Sequence, residues 1–214
     1  MIVVINKTDR TEPPRRPRGR PREFDRGEAL ARARQTFWRL GYEGASIADL
    51  TAAMGITPQS LYAAFKSKAE LYREALADYR KTVGAFATRA LEEEDNAADA
   101  FDRLLREAAH EYCREGQPRG CMISTATLAC AAENRPVATH VAGLRADAIA
   151  ALEARLARGV AEGDLRADTD AAALARFVGA IIQGMSVQAQ DGASEEALAA
   201  IAGIARAEIA RHRA

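Results

Sequence analysis

The sequence predicts an all-α protein, and three observations carry that expectation. Alanine is abundant while alternating strand-type runs are almost absent, a balance that favours helix. Apolar residues recur at three- and four-residue spacing through most of the 214 residues. Ser, Thr or Asp precedes many of these periodic stretches and Gly follows several of them, the punctuation of helix starts and stops. Apolar residues make up 48% of the chain, enough for a sizeable core.

Residues 1–23 form a basic arm. Its prolines and mutually repelling arginines, from Pro13 to Arg22, oppose any packed structure in the free chain. Arg18-Gly19-Arg20-Pro21 resembles the core of an AT-hook, in which arginines beside a small glycine enter a narrow minor groove. Arg18, Arg20 and Arg22 are therefore candidate DNA contacts. Met1–Ile5 is apolar but too short for a secretory signal, and no apolar stretch approaches the roughly 20 residues of a membrane span, so a cytoplasmic protein is expected.

A first helix is expected from Asp25 to Leu40, burying Leu30, Ala33, Phe37 and Leu40 and ended by Gly41. The following stretch, Ser46 to Leu71, is the most informative in the chain. Ser46 caps a helix with Asp49 as a capping-box partner, and Ile47, Leu50 and Met54 share one face. Gly55 supplies the positive φ that leaves this helix. Thr57 caps the next helix, Pro58 takes its first position, and Leu61 and Phe65 face inward. Ser67 and Glu70 form a further capping box for a helix that opens at Lys68. This is a helix-turn-helix, whose second helix suits a DNA major groove. On that helix Thr57, Pro58, Gln59, Ser60 and Tyr62 are the candidate contact residues. Gln59 is the best base reader, since its amide pairs bidentately with adenine. Ser46, Tyr62, Lys66 and Lys68 suit phosphates.

Charge supports this reading although the formal net charge is zero. Residues 1–68 hold 13 Lys/Arg against 7 Asp/Glu, a net of +6, and residues 69–214 hold 17 against 23, a net of −6. A basic head on an acidic body is the layout of a DNA-binding module joined to a regulatory one.

Beyond the head, one long helix is expected over 68–94, with Leu71, Ala75, Tyr79, Val83 and Phe86 along one stripe. Further helices are expected over 97–115, 121–132, 136–163, 170–190 and 194–211, giving about ten helices in all with the head included. The 170–190 helix is apolar around much of its circumference, so burial on more than one side is expected, with Gly179 and Gly184 permitting close backbone approach.

The pattern FWRLGYEGAS followed by SIADLTAAMGITPQSLYAAFKSKAELY resembles the TetR family of bacterial transcription regulators, position by position between Phe24 and Tyr72. The segment Gly120-Cys121-Met122-Ile123 is similar to a local signature of some members. The resemblance implies three parts: the arm 1–23, a three-helix DNA-binding domain over 24–70, and a helical effector-binding and dimerisation domain over 71–214. It implies a homodimer in which helices near 136–160 and 170–190 pair with their copies, bound to a pseudo-palindromic double-stranded operator. It further implies a small-molecule effector that lowers DNA affinity, in a pocket that Phe86, Leu105, Tyr112 and Met122, together with Thr125, Phe177, Ile181 and Met185, are placed to line.

An enzyme is not expected: the chain has no phosphate loop, nucleophile elbow or His–carboxylate cluster at useful spacing. Neither cofactor nor metal is expected, because His110, His140 and His212 are scattered and Cys113, Cys121 and Cys130 lack metal-type spacing. Arg114 and Arg119 lie near Cys113 and Cys121 in sequence, so a thiol-switched repressor is one alternative. An architectural DNA-binding protein without an effector is another. Removing residues 1–22 should weaken DNA binding and flatten its dependence on salt in anisotropy titrations; an unchanged salt slope would exclude the arm as a phosphate contact.

Overall fold

The computed structural model describes residues 24–214, so the arm and its candidate contacts Arg18, Arg20 and Arg22 lie outside the described residues. The described residues form nine α-helices and one 3-10 turn, with no strand beyond an isolated bridge between Leu165 and Arg213. The all-α expectation therefore holds, with a helix count somewhat below the about ten expected.

The head comprises α1 (Arg26–Gly44), α2 (Ile47–Met54) and α3 (Pro58–Phe65), with α4 (Lys68–Lys81) packed against α1. Asp25 caps α1 by accepting from the Glu28 amide at 3.0 Å. The α1 run is interrupted at Gly41, which adopts φ 70° and ψ 175°. The kink turns Leu40 outward, where it is 49% exposed, so the expected inward role of Leu40 is corrected; Ala29, Thr36 and Trp38 are buried beside Ala33 and Phe37 instead.

The connector is not one helix. It breaks at Thr82–Gly84, between α4 and α5 (Ala85–Glu93). Arg34 on α1 donates to Asp78 at 2.5 Å and to the Thr82 hydroxyl at 2.7 Å, and the Thr82 hydroxyl donates back to the Asp78 carbonyl at 2.7 Å. The Gly84 amide folds over to the Tyr79 carbonyl at 2.8 Å. The Arg34 contacts come from α1 and are invisible to helical periodicity, which predicts no break here.

The body is α5, α6 (Ala97–Cys113), α7 (Arg135–Glu162), α8 (Ala171–Gln190) and α9 (Glu195–Ala210). Phe101, Leu104, Leu105, Leu156, Val178 and Met185 fill its core. The expected helix over 121–132 is a chain of turns leading to the 3-10 turn Ala132–Asn134. Its backbone is committed elsewhere: the Cys121 amide donates to the Ser186 hydroxyl at 2.8 Å, and Gly120, at φ 74°, lies so close to α8 that a Cβ would meet the Ser186 carbonyl oxygen at 2.6 Å. Arg145 of α7 donates to the Ile123 and Ala126 carbonyls at 3.3 and 2.9 Å, taking the acceptors a helix would use.

Among the described residues one helix, α8, is long and apolar enough to cross a membrane, at a mean hydropathy of 1.2, which corrects the expectation that no stretch approaches that length. Its buried residues Leu174, Val178 and Met185 pack within the body core.

The head core rests on Phe37, whose ring meets that of Tyr72 edge-on at 4.8 Å and stacks on Tyr42 at 6.3 Å. Truncating a buried aromatic of this kind costs about 3–5 kcal/mol. Phe37→Ala should therefore lower the stability seen in urea unfolding by that amount; a loss below about 1 kcal/mol would contradict this placement.

Candidate DNA-reading head and effector cavities

The helix-turn-helix is built by its caps. Ser46 accepts from the Asp49 amide at 3.1 Å while Asp49 accepts from the Ser46 amide at 2.9 Å, a complete capping box; the Ser46 hydroxyl first, then the Ser46 amide, holds the Asp49 carboxyl below its ordinary range. Gly55 closes α2 in the left-handed region at φ 68°. Thr57 accepts from the Ser60 amide at 3.2 Å and its hydroxyl lies 3.0 Å from that of Ser60. The box expected at Ser67 is only half formed: Ser67 accepts from the Glu70 amide at 3.1 Å, but the Glu70 carboxylate pairs with Arg73.

These caps leave an exposed strip on α3. Thr57, Pro58, Gln59 and Tyr62 are exposed, Ser60 is half-buried, and Lys66 and Ser46 flank them in the open. Tyr62 is 48% exposed with Leu61 and Phe65 buried behind it, so its ring is not part of the core. Lys68 is half-buried, its ammonium 4.5 Å from the centre of the Tyr42 ring, and loss of hydration pushes its pKa down.

Two cavities flank the loop over 118–127. The body cavity, about 210 Å³, lies among α5, α6, α7 and α8. Of the expected lining residues, Phe86 and Tyr112 line it. Leu105 and Met185 are instead fully buried in the helical core, Ile181 packs against that core, and Phe177 is 37% exposed. Met122 and Thr125 line a second cavity, about 510 Å³, between α1 and the loop. Sequence reasoning missed Tyr79 of α4, Ser124 of the loop and Arg145 of α7, which also line the body cavity; Ser124 lies on a stretch whose periodicity predicts a helix. Burial first, then the Cys121 sulfur beside them, pushes the hydroxyl pKa values of Tyr79 and Tyr112 well above the ordinary range.

The cysteines are free and half-buried. Arg119 donates to the Cys113 sulfur at 3.3 Å, and Cys121 lines both cavities. No group of His, Cys, Asp and Glu able to hold a metal occurs among the described residues.

Glu43 was also missed. It stands just after the Gly41 kink and accepts from the Ala131 amide at 3.0 Å and from the Asn134 side chain at 2.9 and 3.0 Å. This clasp ties the head to the 3-10 turn that follows the cavity-bordering loop. A lone exposed glutamate carries no sequence signal for such a role.

Residues 29–75 match the family model described as bacterial regulatory proteins, tetR family, and residues 100–204 match that described as Tetracyclin repressor-like, C-terminal domain. The chain is 34% identical over 197 residues to the HTH-type transcriptional repressor ComR of Escherichia coli (strain K12), covering 92% of this chain and 94% of ComR. It is 30% identical over 187 residues to the repressor BdcR of the same organism, covering 87% and 90% of the two chains. Among solved structures it is similar to a cysteine mutant of the TetR family regulator CifR complexed with 26-bp operator DNA, at 43% identity and a TM-score of 0.84, over 88% of this chain and 98% of that one.

The Asn134 side chain first, then the Ala131 amide, lowers the Glu43 pKa. A depressed carboxyl stabilises the folded state above its unfolded value and loses that contribution as pH falls through the lower folded value. The clasp should therefore hold at neutral pH and open below the usual carboxylate range. Protection of the Ala131 amide, its exchange rate taken relative to that of an unstructured amide at the same pH, should fall there, and Glu43→Ala should show the same low protection at neutral pH. Equal rates in the variant and the wild type at neutral pH would exclude the clasp.

Proposed function

The chain belongs to the TetR family of bacterial regulatory proteins and is a DNA-binding transcription regulator, and we propose that it acts as a homodimeric repressor released from its operator by a small-molecule ligand. The single observation that carries this reading is the exposed α3 strip, Gln59 and Tyr62 above all, standing on a fully buried Leu61 and a nearly buried Phe65. Gln59 reads a base with Thr57 and Ser60 beside it, and Ser46, Tyr62, Lys66 and Lys68 hold phosphates. The operator complex of CifR supports the same use of the head. The bacterial cytoplasm, where operator DNA lies, is the proposed location, and no chemical step is assigned to the chain.

Dimerisation is proposed through α7 and α8. Ala146, Ala150 and Ala157 on α7, with Phe177, Ala180 and Val187 on α8, leave an exposed apolar face of mostly small side chains. A Cβ added at Gly184 would meet nothing within 4 Å, so that position is open to a second helix. Small residues permit close approach, and paired copies of these two helices form a four-helix bundle. Such a dimer sets two α3 helices at half-site spacing, about 34–36 Å.

The effector cavity is the one in the body, where Phe86 and Leu152 offer apolar wall and Tyr112, Ser124 and Gln183 offer hydrogen bonds. Ligand occupancy favours a head spacing that the operator does not accept; a tenfold loss of affinity needs about 1.4 kcal/mol of differential binding. A thiol-switched variant of this reading is favoured by one contact, the Arg119 guanidinium on the Cys113 sulfur. It requires that serine at Cys113, Cys121 and Cys130 abolish release by oxidants and leave DNA binding intact. The arm 1–23 adds minor-groove contacts through Arg18, Arg20 and Arg22.

Anisotropy on DNA from upstream of the protein's own gene tests the proposal. A dimer should bind at least about a thousandfold tighter than to a scrambled fragment; equal binding would favour an architectural role or an operator elsewhere. Gln59→Ala should cost about 1–3 kcal/mol and relax preference at one base, whereas Lys66→Ala should weaken all sequences alike and reduce the salt slope by about one. Phe177→Glu should give a monomer in light scattering; a persistent dimer would exclude the α7–α8 face.

A further inference from the structure

We propose that the cleft between head and body is a second binding site, distinct from the body cavity, and that it takes a small organic carboxylate with an apolar or aromatic body. The cleft holds about 510 Å³. One wall is the end of α1, with Phe37, Trp38, Leu40 and Gly41, and the other is the loop with Arg119, Met122 and Thr127. It is therefore a junction cavity, built from both the head and the body.

Its polar groups are unfinished. Six buried side-chain nitrogen or oxygen atoms lack a partner among the described residues, and three of them, Trp38 Nε1, Arg119 Nε and Thr127 Oγ1, belong to residues lining this cleft. Trp38 is 8% exposed, so its indole N–H is sheltered from bulk water. An unpaired buried donor is costly, and clustering of such groups around one cavity marks a place where a ligand completes them. Indole N–H and guanidinium N–H donate only, so the ligand must bring acceptors.

Charge fixes the class further. Arg39 and Arg119 line the cleft and no Asp or Glu does. Two guanidiniums without a lining carboxylate favour an anion; Nη2 of Arg119 already donates to the Ala193 carbonyl and the Cys113 sulfur, which leaves its unpartnered Nε among the donors open to a carboxylate oxygen. The rings of Phe37, Trp38 and Tyr72 and the Met122 thioether suit an apolar body behind that headgroup. A molecule seated here presses on Leu40 and Gly41 directly, at the kink that leads to Glu43 and its clasp. Occupancy thus bears on the head at the end of α1 as well as at Tyr72 of α4.

Trp38 is the only tryptophan in the chain, so its emission reports the cleft. The full-length protein is titrated with 3-phenylpropionate and, as the uncharged control, with 3-phenylpropan-1-ol. A saturable change in Trp38 emission is expected with the acid, at least about tenfold weaker with the alcohol. Arg119→Gln should weaken the acid about tenfold and leave the alcohol unchanged. Arg39→Gln, on the exposed rim, should weaken the acid as well and guards against a misfolded Arg119 variant. Ala148→Phe, which adds bulk at an exposed part of the body-cavity wall, should leave the acid response intact. A response lost in Ala148→Phe but kept in both arginine variants would place the acid in the body cavity and overturn the proposal. No saturable response up to about 10 mM would overturn it too.

Discussion

The head does not own its core. Phe37, Tyr42 and Tyr72 pack together beneath α2 and α3, and the same buried cluster takes in Met122 from the loop and Val137 and Val141 from α7. Interiors at this density do not deform continuously; a shift on one side is taken up as a repacking on the other. The position of α3 therefore depends on where the loop over 121–134 sits. The body governs the loop in turn, through Ser186 on α8 and Arg145 on α7.

This arrangement gives the regulatory reading a physical carrier. A single long connector helix would transmit as a lever. The break at Thr82–Gly84 interrupts that lever, and Arg34 locks α4 to α1 at the break. In the proposed reading the coupling that remains runs sideways, from the cavities to the loop and from the loop to Glu43 and the aromatic core. Both cavities share Cys121, so a ligand in either one meets the same segment. Coupling of this kind is reciprocal: what loosens the head from DNA is favoured in turn by a head that is off DNA.

The head was legible in the sequence because its determinants are local. Ser46 with Asp49, Gly55, and Thr57 with Pro58 each act within four residues, and the structure forms those caps and that turn where the sequence puts them. The body helices were legible from periodicity, as the buried stripe of Phe101, Leu104, Leu105, Ala108 and Tyr112 illustrates. What sequence could not show was set by distant partners. Arg34 breaks the connector from α1, Ser186 and Arg145 keep the loop from coiling, and the kink at Gly41 exposes Leu40. The candidate pocket suffered most, since Leu105 and Met185 look like lining residues in a stripe and prove to be core. A stripe states which face is buried, not whether the burial is against protein or a cavity.

The central claim is that the DNA-reading helix and the cavity-lining loop move as one unit. Hydrogen–deuterium exchange of the full-length protein, with and without its operator, tests it most directly. Operator bound at α3 should slow exchange over residues 121–134, which touch no DNA in this account, along with exchange in α2 and α3. Protection confined to the head, with the loop unchanged, would contradict it.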